Sequence, residues 1–423
     1  ASDGATTPDT AAPDDSAAAR APDDEPATTE PPSAGSAPTE SDATEPSTSE
    51  PPATDPEVTE PEVTEPPPTD PPLSELPQIG LGGYQVGVST ITITDTVRDR
   101  PLTVEVWFPL ADGVTGEPHR YTFVTGDYYE SPQAVSADAA SISPDGPFPL
   151  VVYSHGSGGT RYIHSNYTET IASHGYLVVA PDHTGNTAVE TVLGTADDRS
   201  SIALNRPQDV RVVIDEMLNP ESTETLGFVA SADPERVAVT GHSFGGFTTY
   251  AAAAGYANEL GEVGPEPRLD AIIPLAPAVG GDDPAEQLLS DGRLIAVQAP
   301  ALVIVGTNDQ TTPIEPNVRR AWELTSSSPH YRLELVDAQH NTFTDLCAYL
   351  EFFPTLPGVS EAVLETIESQ GAEGCAPGDM AIDRAQELTN AFAISFLDSI
   401  FRGGEMIEPD AYQLPDDINF QAK

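Results

Sequence analysis

Residues 240–246 read Thr-Gly-His-Ser-Phe-Gly-Gly, a G-x-S-x-G pattern centred on Ser243. The apolar run Val237-Ala238-Val239 precedes it and a stretch of small residues follows, so a strand should turn sharply into a helix here. In so tight a turn, side chains at the two Gly positions would collide with neighbouring backbone, and the hydroxyl is lifted clear at a helix N-terminus. Such a hydroxyl attacks a carbonyl carbon only if a base takes its proton and a carboxylate orients that base. Downstream, the apolar run Ala301 to Val305 ends in Gly306-Thr307-Asn308-Asp309, and the run Arg332 to Val336 ends just before His340. Both residues then sit at strand ends on the rim that carries Ser243. The chain order Ser243, Asp309, His340 makes His340 the expected base and Asp309 its orienter. Asp337, Asp282 and Asp283 compete for the carboxylate role. Among the other histidines, His119, His164, His174 and His330 are expected at the surface or at helix ends. His242 should point away from Ser243, and His155 and His183 are expected to be structural or pocket-lining. Attack also builds charge on the carbonyl oxygen, which two backbone N–H groups usually hold. Phe244 should supply one, and the loop Ser154-His155-Gly156-Ser157-Gly158-Gly159 the other, from Ser157 or alternatively Gly156.

These residues need elements to hold them. Residues 84–95 and 102–110 alternate as antiparallel strands do. Short apolar runs follow at 149–153, 176–180, 237–239, 271–275, 301–305 and 332–336, as in strands buried on both faces. Helical patterns lie between them at about 162–174, 206–219, 244–257 and 317–327. The rhythm predicts an α/β fold with a mostly parallel central sheet and helices on both faces. Residues 343–403 read as largely helical, with Phe392, Phe396 and Ile400 forming one apolar stripe.

With these pieces in place the sequence resembles the α/β-hydrolases. More narrowly, it is similar to the serine esterases of the platelet-activating-factor acetylhydrolase and dienelactone-hydrolase-like type. The resemblance rests on Ser154-His155-Gly156-Ser157-Gly158, Ala180 to Thr187, Gly241 to Gly246, Gly306 to Asp309, and His340 to Asp345, within residues 80–400. It implies Ser243 as nucleophile, His340 as base, Asp309 as orienter, and Ser157 with Phe244 as oxyanion donors. Dienelactone hydrolases proper use a cysteine, so Ser243 favours ordinary ester hydrolysis. Bacterial cutinases and polyester hydrolases share this pattern but place an aromatic after the third strand and a Trp after the sixth. Here those positions hold Ser157 and Ala276-Pro277-Ala278, leaving Tyr162, Phe244 or Trp322 as substitutes. The expected activity is carboxylester hydrolysis through an acyl-enzyme, with no cofactor or metal. A cutinase-like polyester hydrolase is the alternative, a non-catalytic surface binding protein on the same fold a second, and a peptidase a third.

Composition bounds the partners. The 423 residues carry 68 Asp and Glu against 17 Lys and Arg, for a net charge of −51. Such a surface repels phosphate backbones and anionic membranes, so nucleic acid is not an expected partner. Lysine occurs only at Lys423, which suits a saline setting and equally a genome rich in G and C. Residues 1–78 hold 19 of the acids, one base (Arg20) and 18 of the 43 prolines. They read as a disordered acidic Pro/Thr/Glu-rich linker, a spacer that could tether the catalytic domain 79–423 to a cell envelope. No apolar run reaches 18 residues, and the start at Ala1 matches a mature protein whose signal peptide has been removed. A secreted or cell-surface monomer acting on a small, lipid-like or polyester ester is therefore expected. The two cysteines, Cys347 and Cys375, are expected to form one disulfide, with two buried thiols as the other reading.

Overall fold

The computed structural model describes residues 73–423 except 124–125, 220, 281–286, 357–358 and 360. The linker expected over 1–78 lies outside the described residues as far as position 72. Beyond it, Ser74–Glu75 pairs in parallel with Tyr412–Gln413. Leu76 packs on the core as well, so contact with the folded domain begins ahead of the expected boundary at 79.

One 11-stranded sheet organises the described residues. Its strands in chain order are β1 Val86–Asp95, β2 Arg100–Pro109, β3 Pro118–Thr122, β4 Tyr128–Ser136, β5 Phe148–Ser154 and β6 Leu177–Pro181. They continue with β7 Ala232–His242, β8 Leu269–Leu275, β9 Ala301–Gly306, β10 His330–Leu335 and β11 Ile418–Ala422. Across the sheet the order is β3-β4-β1-β2-β6-β5-β7-β8-β9-β10-β11. Strands β5 to β10 all run parallel to their neighbours among themselves. The antiparallel pairs β1–β2, β2–β6 and β10–β11 flank them.

The central strands carry short continuous apolar runs because both faces are covered. Alternate residues of β5 show this. Val151 and Tyr153 join the cluster containing Tyr167 and Ile171 of helix Ser165–Ser173 and Phe392 and Phe396 of helix Ile382–Arg402. Leu150 and Val152 join Val210, Val213, Ile214 and Met217 of helix Arg199–Leu218 on the other face. The expected stripe on 392, 396 and 400 is thus the buried face of the long C-terminal helix.

Three differences from the sequence reading have physical causes. Helix Arg199–Leu218 starts well before 206, because the Asp198 side chain accepts from Ser201 N–H and caps it upstream, leaving Pro207 inside the helix. Strands β3, β4 and β11 were not foreseen; their sequences PHRYT, YYESPQAVS and INFQA lack a clean apolar alternation. Of these, β3 and β11 are the sheet's two edge strands and β4 lies next to one edge, where a polar sequence is tolerated. His119 and His330 are buried rather than on the surface, and His164, which does stand at a helix end as N-cap of Ser165–Ser173, is buried too. His164, for example, stacks on Tyr167, and His330 lies under the Trp322 ring.

Helix Ser165–Ser173 is fastened to the edge strands by a buried carboxyl. Glu169 accepts from Tyr121 Oη at 2.6 Å and from Ser131 Oγ at 2.7 Å. Burial pushes its pKa from about 4.5 up to about 7, against the lowering effect of those two donors. Between those values the folded state keeps a proton that the unfolded chain has released, so stability falls as pH rises across the window. Glu169→Gln keeps an acceptor oxygen and removes the titration. Its unfolding free energy should match the wild type below pH about 4.5 and exceed it by on the order of 3 kcal/mol above pH about 7. A gap independent of pH would contradict the assignment.

Candidate active site

The site sits where β7, β9 and β10 end. Pairing of Leu275 with His242 and Ile304, and of Gly306 with Leu335, puts these ends on one edge of the sheet. Strand β7 runs directly into helix Phe244–Ala254 through Ser243, whose φ of 58° is in the left-handed region. Glycine is required on both sides. A Cβ at Gly241 would come within 2.6 Å of the Ser154 and Gly245 carbonyl oxygens, and one at Gly245 within 1.9 Å of Ser154 O. The turn is locked by Ser243 N–H to Leu275 O at 2.9 Å and by Ala278 N–H to Ser243 O at 3.1 Å.

Two loops bring the other residues in. The turn after β9 lies on the turn after β10. Thr307 N–H donates to Leu335 O and Asn308 N–H to Ala338 O, and Gly306 has no room for a side chain against Ala338 O. His340 Nε2 then stands 2.8 Å from Ser243 Oγ, and His340 Nδ1 stands 2.8 Å from Asp309 Oδ2. Asp309 and His340 are buried while Ser243 keeps partial exposure. The structure therefore brings together the three residues expected from the sequence. Asp337 is elsewhere, accepting from Asn308 Nδ2, and Asp282 and Asp283 lie outside the described residues.

Supporting contacts were not foreseen. Thr312 N–H donates to Asp309 Oδ1 at 2.7 Å, and Thr312 Oγ1 lies 2.8 Å from Asp309 Oδ2 and 3.1 Å from Ala276 O. The Asp-x-x-Thr spacing could have suggested this, since such a pair often closes a turn. His242 Nε2–H donates to His340 O at 2.7 Å and its ring packs on that of His340. Burial, helped by the nearby His340 and His164, lowers the His242 pKa far below 6.5, so it stays neutral and fixes the His340 main chain.

The segment after His340 is braced by the Cys347–Cys375 disulfide and by Asn341 N–H donating to Glu373 O at 2.8 Å. The crosslink closes a loop spanning a sequence separation of 28 residues. In the chain-entropy picture it stabilises by about 3–4 kcal/mol. Thermal unfolding under a reductant should therefore begin several degrees lower, and an unchanged transition with the thiols shown free would contradict this.

The loop after β5 meets the elbow from the other side. A Cβ on Gly156 would lie 3.5 Å from Ser243 Cβ, so the backbone of this loop runs beside the hydroxyl. Ser157 is exposed, and Phe244 occupies the first turn of the helix, where main-chain N–H groups have no partner within the helix. His155 and His183 are fully buried, as the structural reading had it. The substitute aromatics do not form a flat platform. Tyr162 is buried with its hydroxyl on Thr122 O, Phe244 is buried against Phe247, and Trp322 packs on His330 at the opposite end of β10 from His340.

A family model described as platelet-activating factor acetylhydrolase, isoform II, matches residues 120–227. A solved ferulic acid esterase from Streptomyces cinnamoneus superposes with a TM-score of 0.57 at 23% identity, covering 82% of this chain and 98% of that one. The chain has the α/β-hydrolase fold. The chlorophyllase-1 proteins of Citrus unshiu and Citrus sinensis are each 26% identical to it over 161 residues, 38% of this chain. The matched stretch spans 45% of each chlorophyllase, less than half of its length. The family match covers the loop after β5 and helix Arg199–Leu218. Ser243, Asp309 and His340 lie beyond it, so their grouping rests on the geometry above.

Proposed function

We propose that this α/β-hydrolase is a serine carboxylester hydrolase, exported to the cell surface or beyond. The observation that carries the reading is the unbroken series from Asp309 through His340 to Ser243, with 2.8 Å at each junction. His340 Nε2 takes the Ser243 proton as Oγ bonds to the ester carbonyl carbon, and Asp309 stabilises the imidazolium. The N–H groups of Ser157 and Phe244 hold the resulting oxyanion. As the tetrahedral intermediate collapses, the C–O bond to the alcohol breaks and His340 returns its proton to the leaving oxygen. A water then bonds to the acyl carbon as His340 takes its proton; the C–Oγ bond breaks, the acid leaves, and His340 returns the proton to Ser243 Oγ. The names attached to its relatives, an acetylhydrolase, a chlorophyllase and a ferulic acid esterase, support ester chemistry. Small or lipid-like esters suit the site better than a flat polymer, because the aromatics available as a platform are buried or remote. The disulfide and the acidic composition support export, with the residues before Ser74 as the proposed spacer.

The test is direct. Purified protein should hydrolyse p-nitrophenyl acetate, and a fluorophosphonate should add one label, found by peptide mass on Ser243. Protein that neither turns over the ester nor takes the label would leave the fold without the proposed activity.

A further inference from the structure

Arg206 lies on helix Arg199–Leu218 beneath the loop after β5, and its side chain is fully buried. A buried guanidinium normally sits against a carboxylate. Here its hydrogen bonds end on neutral acceptors. Nη1 donates to His155 O at 2.5 Å, and Nη2 donates to Gly156 O at 2.9 Å and to Asn186 Oδ1 at 2.6 Å. Nε has no partner among the described residues. Burial lowers its pKa to about 9, only partly offset by Asp209 nearby. A charge kept in such surroundings, spent on main-chain oxygens, calls for an explanation beyond packing.

The peptide plane supplies one. His183 N–H donates to His155 Nε2, so His155 carries its proton on Nδ1 and gives it to Gly156 O at 2.7 Å. Gly159 N–H reaches the same oxygen at 3.2 Å. With Arg206, three donors pin the Gly156 carbonyl toward the helix. The Gly156–Ser157 peptide is trans, so its N–H, that of Ser157, must point the opposite way. Asn186, held by Arg206, also donates through Nδ2 to Ser157 Oγ at 3.3 Å. The guanidinium further lies 5.1 Å from the centre of the Phe244 ring. One side chain thus touches, directly or through Asn186, the residues at both expected oxyanion donors.

We propose that Arg206 is a positioning residue that aims the Ser157 N–H into the oxyanion hole by holding the Gly156 carbonyl on the opposite side of the peptide plane. The inference rests on the hydrolase reading above. Docking of the helix does not depend on Arg206 alone. Asp209 binds Arg98, Arg100 and His183, and Val210, Val213, Ile214 and Met217 sit in the core.

Arg206→Lys keeps the charge but cannot span both carbonyls and Asn186. Losing one oxyanion donor outright costs about 10²–10³-fold in kcat, so misdirecting one should cost about 10–100-fold. With p-nitrophenyl acetate, kcat should fall by that factor while KM stays within about twofold. The inhibition constant of a trifluoromethyl ketone, which forms an oxyanion on attack, should rise by the same factor as kcat falls. A purely structural role predicts a lower Tm with kcat per titrated site and ketone affinity unchanged; that result overturns the proposal. Should the Lys variant fail to fold, Arg206→Gln, which removes the buried charge and retains one donor, and Asn186→Ala, which cuts the link to Ser157, are read by the same criteria. Wild-type protein is run alongside. If it neither turns over nor labels at Ser243, the hydrolase reading fails; if it does both and the variants keep full kcat, only the role of Arg206 fails.

Discussion

Replacing Ser243 with alanine is expected to lower kcat on p-nitrophenyl acetate by about 10⁵–10⁶-fold and to abolish fluorophosphonate labelling. Catalysis of about 10³-fold over water should remain, because binding and the oxyanion donors do not need the hydroxyl. The fold should be almost untouched. The anchors at this position are main-chain bonds, Ser243 N–H to Leu275 O and Phe247 and Ala278 N–H to Ser243 O, and alanine keeps all of them. Tm therefore serves as the internal control. A variant that melts like the wild type yet retains more than about 1% of kcat would require another nucleophile.

The second large effect is expected at Asp309. Asp309→Asn should lower kcat by about 10⁴-fold at neutral pH, with KM little changed. The local hydrogen bonds dictate why. Thr312 N–H donates to Oδ1, so an asparagine would keep its oxygen there and turn its NH₂ toward His340 Nδ1. Nδ1 must then accept, the proton moves to Nε2, and the nitrogen facing Ser243 can no longer act as a base. Thr312→Val is the graded control, leaving the carboxylate in place while removing the hydroxyl beside Oδ2. It should cost roughly tenfold, in keeping with one hydrogen bond to a charged group. A loss below about tenfold in Asp309→Asn would mean that another carboxylate orients His340, and Asp337→Asn would be the next variant to measure.

Much of this site was legible in the sequence because each residue is tied to a local pattern. Ser243 follows from two glycines whose absent side chains leave room for Ser154 O. Asp309 and His340 follow from apolar runs whose ends, in a parallel sheet, fall on one edge. Other features had no local signature. His242 acts on a neighbour 98 positions away, and Arg206 on a loop about 50 positions earlier. Nothing in the residues around Arg206 distinguishes it from a solvent-facing helical arginine. Its burial depends on Asp198 starting the helix upstream of Pro207 and on the sheet closing above it.

By itself the sequence pointed to the α/β order of elements, the elbow at Ser243 and the three side chains that meet at the proposed site, since strand periodicity and glycine sterics act over a few neighbouring residues. The tertiary structure alone decided what surrounds them. It determined which histidines are buried, which edges accept polar strands, and which way the Gly156–Ser157 peptide faces. Those outcomes depend on groups that meet only once the sheet has assembled, and a peptide plane takes its direction from whatever donors the fold puts next to its carbonyl.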